Sequence, residues 1–226
     1  MIVVYRLTGN DNKDKKRPIY HGDKDKLTKL CHESLLRAIN IDKMLYVADN
    51  PTPFMLQLMY LNQFTLYPIN LNYNKHDTCL GASGKSYRNA IRLGKMFYDK
   101  QILFAEDDYY YLNNAVDVIE EGLREFEVVA PYICPDHDMY DVETKEVNGR
   151  KWKRIPSTPL TFACRGSYLE KEHERFEYWG AKSKDLWADM TARTPLWAPV
   201  PSVATHMETE FLATSVDWSK EWEKYA

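Results

Sequence analysis

Gln101 to Tyr111 reads QILFAEDDYYY, and this stretch decides the fold that we predict. Its apolar run, Ile102 to Ala105, has the length of a buried strand and stops abruptly at three acidic residues, Glu106, Asp107 and Asp108. Ligands of open α/β sheets bind where such parallel strands end. We therefore expect a ligand site at these acids.

Three neighbouring carboxylates need positive charge beside them. If they were unpaired, they would repel one another, and each would raise the pKa of the others. A divalent metal ion can supply the charge, and so can an Arg or Lys side chain. Of the two we favour the metal ion.

The length and charge of the chain restrict the classes of protein to consider. With 226 residues, one α/β domain with a substantial core is the simplest arrangement, and two small domains are the alternative. The formal net charge of −3 gives no overall case for binding to nucleic acid or to an anionic membrane. A local basic strip is compatible with that charge.

The cysteines and the apolar segments indicate the compartment. Four cysteines, at positions 31, 79, 134 and 164, form no CxxC pair and no cluster of the zinc-finger type. They predict reduced thiols in a cytosolic protein. The sequence shows no signal peptide and no apolar run of membrane-spanning length, so we expect a cytoplasmic protein without a membrane span.

The order of the predicted elements indicates the fold class. Short apolar runs alternate with segments in which apolar residues recur at helical spacing. The predicted strands cover residues 2–5, 44–48, 64–67, 102–105 and 126–130, and the helices between them cover about 27–39, 50–62, 87–96 and 113–124. Asn50 is placed at an N-cap, with Pro51 in the first turn. The alternation predicts an α/β fold with a mostly parallel, doubly wound sheet and helices on both faces.

The pattern changes after Pro131. The following residues are rich in loops, and a hairpin is predicted at Asn148 and Gly149. Further elements are a strand at 160–164 and helices at 167–176, 184–192 and 217–225. In the last helix we expect Trp218 and Trp222 to be packing residues.

A phosphate-binding loop is the alternative suggested by GASGKS at residues 81–86. The full pattern requires a glycine where Cys79 stands, and no strong strand is predicted just before it. We therefore do not favour a Walker-type nucleotide site.

Four short motifs support a resemblance to a known family. They are FAEDDYYY at 104–111, IPSTPLTFACR at 155–165, PSVATH at 201–206 and VDW at 216–218. In this order they resemble a compact family of bacterial and phage enzymes, the family-two-like glycosyltransferases, over nearly the whole chain. The family has the GT-A fold of nucleotide-sugar glycosyltransferases, in which the acidic element is called the DXD motif.

The resemblance implies a GT-A-like, Rossmann-like single domain, residues 1–226, with a nucleotide-sugar-binding half at 1–130 and an acceptor half at 131–226. It implies transfer of a sugar from a nucleoside diphosphate sugar, with UDP favoured, to a hydroxyl acceptor. Mg²⁺ or Mn²⁺ would neutralise the leaving diphosphate. By resemblance Asp108 is a direct metal ligand, Glu106 lies near the ribose or a metal-bound water, Asp107 is close, and His206 is a second ligand.

The resemblance also implies contacts to the donor nucleotide. They are Val4, Tyr5 and Arg6 at the base, Asp49 at the base or ribose, and Lys85 and Arg88 at the ribose or phosphate. As alternatives, Asp49 caps a helix, and the two basic residues are solvated helix charges.

An inverting reaction would require a general base. Asp185, at the start of a predicted helix, is the first candidate, with Asp189 one turn later on the same face, and Asp107 is a second catalytic candidate. The alternative for Asp185 is an ordinary acid near a helix N-terminus. A retaining enzyme would need no such base.

The acceptor is a hypothesis. Resemblance to phage enzymes and a Lys-, Asn- and Tyr-rich composition suggest hydroxymethylcytosine in DNA, glycosylated with arabinose or glucose in the host cytoplasm. The extruded base would enter the site, and basic residues at 13–17 and 150–154 would contact phosphates. The acidic net charge argues against it. Alternatives are a surface polysaccharide or lipid acceptor, a nucleotidyltransferase, and a non-catalytic binding module.

Overall fold

Strands and helices alternate through most of the chain. The computed structural model describes residues 1–9, 15–38, 41–61, 82–138, 142–159, 161–179 and 183–224. The strands in these ranges are β1 (Ile2–Thr8), β2 (Lys43–Asp49), β3 (Gln101–Glu106), β4 (Tyr109–Tyr111), β5 (Val128–Val129), β6 (Thr144–Val147), β7 (Arg150–Ile155), β8 (Phe162–Arg165), β9 (Leu196–Val200) and β10 (Ala204–His206). The helices are α1 (Lys24–Arg37), α2 (Pro53–Leu61), α3 (Ala82–Lys95), α4 (Ala115–Glu125), α5 (Pro135–Asp138), α6 (Gly166–Lys171), α7 (His173–Trp179), α8 (Ser183–Arg193) and α9 (Trp218–Trp222).

Eight of the described strands form one sheet in the order β2-β1-β3-β8-β5-β9-β7-β6. Strand β1 is parallel to β2 and β3, and β5 is parallel to β9. Strands β8 and β7 run against their neighbours. Six of the eight strands therefore point the same way, and the prediction of a mostly parallel sheet is confirmed. Because β8 lies between β3 and β5, both halves of the chain share one sheet and form one domain.

Strand β1 shows how the sequence buries both faces of the sheet. Val3, Tyr5 and Leu7 belong to the core that contains residues of α1 and α4. Ile2 and Val4 alternate with them and belong to the second core, which contains residues of α3, α6 and α8. Successive side chains of a strand point to opposite faces, so a continuous apolar run is buried on both. Helices cover both faces, as predicted.

The start of α2 differs from the prediction. Asn50 adopts a positive φ of 46° and ends β2, and it does not cap a helix. The cap is Thr52, whose side-chain oxygen accepts a hydrogen bond from the backbone N–H of Met55 at 3.2 Å. Pro53 follows at the first helical position. A backbone N–H there would have no partner within the helix, so proline is tolerated. The helix therefore begins about half a turn later than predicted. Its start is marked by Thr52 and Pro53, and not by Asn50 and Pro51.

Several other elements also differ from the prediction. The predicted strand at 126–130 is only the two-residue β5, and the predicted helix at 167–176 is divided into α6 and α7. The division is at Glu172, a buried acid whose carboxylate accepts a hydrogen bond from Arg175 at 2.6 Å. Strand β4 was not predicted, and the strand predicted at 64–67 lies outside the described residues.

The hairpin at Asn148 and Gly149 is confirmed. Strands β6 and β7 pair antiparallel on either side of these residues. Their φ angles are 50° and 76°, and a type I′ turn requires positive φ at both central positions. Asn and Gly tolerate this conformation better than other residues do.

A small second sheet completes the edge at which β3 ends. It pairs β4 with β10 antiparallel, with Tyr109 opposite His206. The backbone N–H of Met207 donates to the carbonyl oxygen of Asp108 at 2.8 Å. A late segment of the chain is thereby fixed beside the acidic residues.

The helices of the described part of the chain contain no apolar stretch long enough to cross a lipid bilayer.

Candidate active site

Glu106, Asp107 and Asp108 lie at the carboxyl end of β3, as predicted from the sequence. Strands β1 and β2 end at the same edge, since Arg6 pairs in register with Glu106 and Thr8 with Asp49. The parallel arrangement of these three strands brings their polar carboxyl ends together. The acids therefore form the centre of the candidate site.

Glu106 is held by the neighbouring strand. The guanidinium of Arg6 donates to Glu106 Oε1 at 2.9 Å and, through Nε, to the Ser86 hydroxyl at 3.1 Å. A long hydrogen bond of 3.5 Å joins the Thr161 hydroxyl to Glu106 Oε2. Burial raises the pKa of the Glu106 carboxyl, and the charge of Arg6 offsets this only in part.

Both oxygens of Asp107 are engaged. Lys24, in the first turn of α1, contacts Oδ1 at 2.8 Å, and the backbone N–H of Thr8 donates to Oδ2 at 2.8 Å. Burial alone would lower the pKa of the Lys24 ammonium, but the charges of Asp107 and Asp108 raise it above its ordinary value. The ion pair ties α1 to the ends of β1 and β3.

Asp108 has the largest number of partners. Its Oδ2 lies 3.2 Å from His206 Nε2, 3.3 Å from Arg17 Nη1 and 3.7 Å from Lys15 Nζ. Burial alone would raise the pKa of the Asp108 carboxyl, but His206, Lys24 and Lys15 together lower it well below its ordinary value. Asp108 is therefore ionised over the whole neutral range. Of the two predicted sources of positive charge, Arg and Lys side chains are present at all three acids.

His206 is positioned by aromatic rings. Its imidazole lies 5.0 Å from the ring of Tyr109 and 5.7 Å from the ring of Phe211, measured between centroids. With the backbone fixed by the β4–β10 pair, these contacts point Nε2 at Asp108. A histidine in this position is either a hydrogen-bond partner of Asp108 or a second metal ligand.

The Asp108 and His206 pair is compatible with a magnesium or manganese site. The described residues contain no group of three or more acidic, histidine or cysteine side chains placed to hold a metal ion. Two protein ligands are nevertheless enough for these ions, which keep several waters and take further oxygens from phosphates. Ligands at right angles about 2.1 Å from an ion are roughly 3 Å apart, close to the observed separation of 3.2 Å.

Asp49 has an unsatisfied oxygen at the same edge. The residue is 4% exposed, and Oδ1 has no hydrogen-bond partner among the residues that the structure describes. Burial raises the pKa of the carboxyl, and Arg6 opposes this increase. The backbone N–H of Gly9 donates to the carbonyl of Asp49 at 3.0 Å, so the ends of β1 and β2 are in contact. An unsatisfied buried acceptor indicates a donor supplied by a ligand or by water.

The structure gives less information on the other residues predicted to contact the donor nucleotide. The side chains of Val4 and Tyr5 are fully buried in opposite cores, which leaves only their backbone for a nucleotide. Arg88 is partly buried on α3, and its Nε has no hydrogen-bond partner in the described ranges of the chain. Lys85 lies on the same helix, but its side chain is outside the described residues.

The candidate bases of the second half are apart from the acids. Asp185 is exposed in the first turn of α8, and no contact joins it to the acidic residues in the described part of the chain. Asp189 forms ion pairs with Arg175 at 2.8 Å and with Arg193 at 3.7 Å.

Basic residues of both strips predicted to contact DNA lie near acidic residues of this chain. Residues 150–154 are on β7, which is four strands from β3, or roughly 19 Å at about 4.8 Å per strand. Arg150 and Arg154 lie near Glu121 and Glu143. In the other strip, Lys15 and Arg17 contact Asp108, and Lys13 is outside the described residues.

All four sequence motifs meet around the acids. Thr161, from the second motif, contacts Glu106, and His206, from the third, contacts Asp108. Trp218, from the fourth, packs edge-on against Tyr110 with ring centroids 6.4 Å apart. Trp218 and Trp222 are buried, which confirms their predicted packing role.

Sequence reasoning missed the basic partners of the acids. Lys24 was not singled out, and the segment with Lys15 and Arg17 was interpreted as a solvated loop or a polyanion contact. The signal available was the rule that buried acids need basic partners, but it does not identify which residues supply them. That choice depends on contacts between residues more than 80 positions apart.

The mostly parallel sheet, the helices on both faces and the acidic edge define a GT-A-like α/β fold. No protein-family model matches the sequence, and no curated protein matches it. Among solved structures, the chain is similar to residues 1–349 of TarS from S. aureus, with a TM-score of 0.53 and 16% identity. The match covers 88% of this chain and 58% of that chain.

Two further structures support the same fold. TarS in complex with UDP-GlcNAc matches with a TM-score of 0.51 and 17% identity over 88% of this chain and 56% of that chain. The galactosyltransferase LgtC, in complex with donor and acceptor sugar analogs, matches with a TM-score of 0.51 and 9% identity, over 88% and 73% of the two chains. The chain spans less than two thirds of the TarS structures that it matches. At these identities the similarity establishes the fold alone.

Proposed function

We propose that this protein is a glycosyltransferase that moves a sugar from a UDP-sugar to a hydroxyl acceptor, with Mn²⁺ or Mg²⁺ held by Asp108 and His206. The observation that carries the proposal is the contact of these two side chains at the carboxyl end of β3, in a fold shared with glycosyltransferases. A nucleoside diphosphate is a good leaving group only when its charge is neutralised, which a metal ion at this position supplies.

The chain's own residues hold and orient the donor. Asp108 is kept ionised by its surroundings, so it is available as a ligand. Asp49 offers its unsatisfied Oδ1 to a hydroxyl or N–H of the ribose or base. TarS has been solved with UDP-GlcNAc, and this similarity of fold is our reason to start from UDP.

The remaining acids have different roles in this proposal. Arg6 and Thr161 orient Glu106 toward the ribose or a metal-bound water. Asp107 is assigned to positioning α1 rather than to proton transfer, since Lys24 and Thr8 occupy both of its oxygens. Asp185 stays the predicted base for an inverting reaction.

Two classes of acceptor are considered in the proposal. Hydroxymethylcytosine in DNA is the acceptor suggested by the resemblance to phage enzymes, and the net charge of −3 argues against it. LgtC has been solved with an acceptor sugar analog, and a saccharide hydroxyl is the alternative. Incubation with both acceptor classes and measurement of transferred label would distinguish them. A cytoplasmic location is part of the same proposal.

The proposal is tested with Asp108→Asn. We expect UDP with Mn²⁺ to raise the melting temperature of the wild-type protein, and donor hydrolysis to release UDP. Loss of one carboxylate ligand should reduce hydrolysis at least about 100-fold, equivalent to about 2.7 kcal/mol of barrier. The measurement is thermal shift and chromatography of nucleotide products over a panel of nucleotide sugars.

Asp99→Asn is the matched control because Asp99 is an exposed aspartate away from the acids, and it should behave as wild type. Release of pyrophosphate instead of a nucleoside diphosphate would identify a nucleotidyltransferase. Metal-independent nucleotide binding that Asp108→Asn leaves intact, without donor hydrolysis, would identify a non-catalytic module and contradict the proposal.

A further inference from the structure

Several carboxylates at the acidic edge are paired with basic side chains of the protein. In the described part of the chain the pairs are Arg6–Glu106, Lys24–Asp107, Arg17–Asp108 and Lys15–Glu208, and the Asp49 carboxyl lies at the same edge. Lys15 also lies 3.7 Å from Asp108. A divalent ion or a diphosphate, bound alone, would disturb the pairing at Asp108.

The four basic residues differ in how firmly they are held. Lys24 is 8% exposed, and its nitrogen is 2.8 Å from Asp107. Lys15 is 33% exposed and Arg17 is 7% exposed, and their contacts with Asp108 are longer, at 3.7 and 3.3 Å. A ligand of Asp108 would therefore compete directly with Lys15 and Arg17 for its carboxylate.

The backbone beneath these two side chains is fixed. The carbonyl of Lys16 accepts hydrogen bonds from the backbone N–H and the hydroxyl of Thr209, at 2.8 and 3.0 Å. Arg17 also donates to the carbonyl of Met207 at 3.0 Å. These bonds keep the segment beside Asp108 and His206 while the charged ends change partner.

Electrostatics couple the two ligands. A metal ion on Asp108 and His206, without a nucleotide, would place two positive charges next to Lys15 and Arg17. A diphosphate without a metal ion would meet the negative charge of Asp108. When both bind together, the diphosphate compensates the metal ion and the two displaced basic groups.

We propose that Lys15 and Arg17 are exchangeable counter-ions: they neutralise Asp108 in the ligand-free protein, and they bind the donor's diphosphate when Asp108 ligates the metal ion. The proposal rests on the proposed function and names the residues that recognise the leaving group. A planar guanidinium binds two phosphate oxygens at once, and a lysine ammonium is a flexible point charge, so the pair suits a diphosphate. Metal ion and diphosphate then bind cooperatively.

The test compares Lys15→Gln and Arg17→Lys with Lys29→Gln. Lys29 is an exposed lysine of α1 that lies 3.8 Å from Glu33, and its loss should change no ligand affinity. Calorimetric titrations measure the affinity for Mn²⁺ without nucleotide and, in separate experiments, for UDP and for uridine in the presence of Mn²⁺.

For Lys15→Gln, removal of the repelling charge should tighten Mn²⁺ binding several-fold. Loss of one charge-assisted contact should weaken UDP binding about tenfold. Uridine affinity should be unchanged, since uridine lacks phosphates. Arg17→Lys keeps the charge but removes the planar guanidinium that can bind two phosphate oxygens at once. UDP binding should therefore weaken while Mn²⁺ binding stays near wild type.

The outcomes separate this inference from the proposed function. If wild type binds UDP tightly with Mn²⁺ and both variants match it for both ligands, the counter-ion exchange is overturned and the proposed function stands. A change in only one affinity of Lys15→Gln also overturns the exchange, which requires both. If wild type binds no UDP under any condition, both proposals fail. Should Arg17→Lys be unfolded by circular dichroism, the half-exposed Lys15→Gln decides alone.

Discussion

At the scale of the residue, burial shifts the pKa of a histidine beneath the acidic edge. His32 of α1 is fully buried, its Nε2 lies 2.8 Å from the Tyr46 hydroxyl, and its ring packs edge-on against Tyr5 at 5.3 Å. Burial lowers the pKa of His32 from 6.5 to about 4. The histidine is therefore neutral in the folded protein at any pH at which the protein would be assayed.

This pKa predicts a loss of stability in mild acid. Between pH 6.5 and about 4 the unfolded chain binds a proton that the folded protein does not, so the contribution is complete above 6.5 and decreases as the pH falls. From about pH 7 to about pH 5 it should cost wild type about 2 kcal/mol of unfolding free energy. Urea unfolding of His32→Gln should show a correspondingly smaller loss over the same interval.

His21→Gln is the control for this experiment, because His21 is exposed. It should retain the pH dependence of wild type. Equal losses for wild type and His32→Gln would show that another group causes the acid sensitivity.

At the scale of the residue, the sequence predicts acids better than their partners. Glu106, Asp107 and Asp108 are recognisable because an apolar run ends at them, which is a local pattern. The pairing of Lys24 with Asp107 and of Arg17 with Asp108 is set by the way α1 and the segment before it pack on the sheet. No local pattern contains that information.

Among the elements, the residues that follow β1 and β2 pack closely together beside the proposed nucleotide site. A Cβ atom added to Gly9 would lie 1.9 Å from the carbonyl oxygen of Asn50, so no larger residue fits without a shift of the backbone. Because Gly9 also donates to the Asp49 carbonyl, such a shift would move Asp49.

Gly9→Ala should therefore reduce both stability and nucleotide binding. We expect a loss of about 1–3 kcal/mol in unfolding free energy, typical of an overpacked site, and weaker UDP affinity in calorimetry. Gly22→Ala is the comparison, since Gly22 has a φ of 70° and no atom within 4 Å of the added Cβ. It should lose stability through backbone strain alone and keep its UDP affinity. Equal UDP affinity in all three proteins would contradict the role of the Gly9 loop.

Element types are more predictable than element ends. The first helix was predicted at 27–39 and lies at Lys24–Arg37, because Asp23 caps it through the Lys26 N–H at 3.0 Å, one turn before its first apolar residue. Strand β4, three tyrosines long, owes its strand conformation to pairing with β10. Such pairing cannot be recognised in the sequence of β4 itself.

For the whole molecule, the position of β8 decides how the chain can be divided. This strand comes from the second half of the chain and pairs with both β3 and β5 of the first half. Its residues Phe162, Ala163 and Cys164 are completely buried. The halves predicted at 1–130 and 131–226 were defined by the ligand that each would bind. In the structure they form one folded unit.

The fragment 1–130 should therefore not fold cooperatively. Without β8, strand β3 loses a neighbour and β5 has no strand beside it within the fragment. Urea denaturation followed by circular dichroism should give a broad, non-cooperative change for the fragment and a sigmoidal transition for the full chain. A sharp transition of the fragment would show that the first half is an independent domain.

The fold class was predictable because the alternation of apolar runs and helical segments is periodic along the sequence. The strand order was not, since placing β8 between β3 and β5 depends on contacts between distant residues. The resemblance of the four motifs to a glycosyltransferase family indicated the correct fold class, because it reports the order of segments along the chain and not their pairing.

The pairing of β4 with β10 affects the order in which parts of the protein fold. Asp108 and His206 are 98 positions apart in the sequence, and closing a loop of that length carries an entropic cost that only native pairing repays. Ribosomal synthesis delivers His206 long after the acidic strand has emerged. The metal site proposed at Asp108 and His206 should consequently form late in folding, so that a chain ending before His206 should not bind Mn²⁺ there.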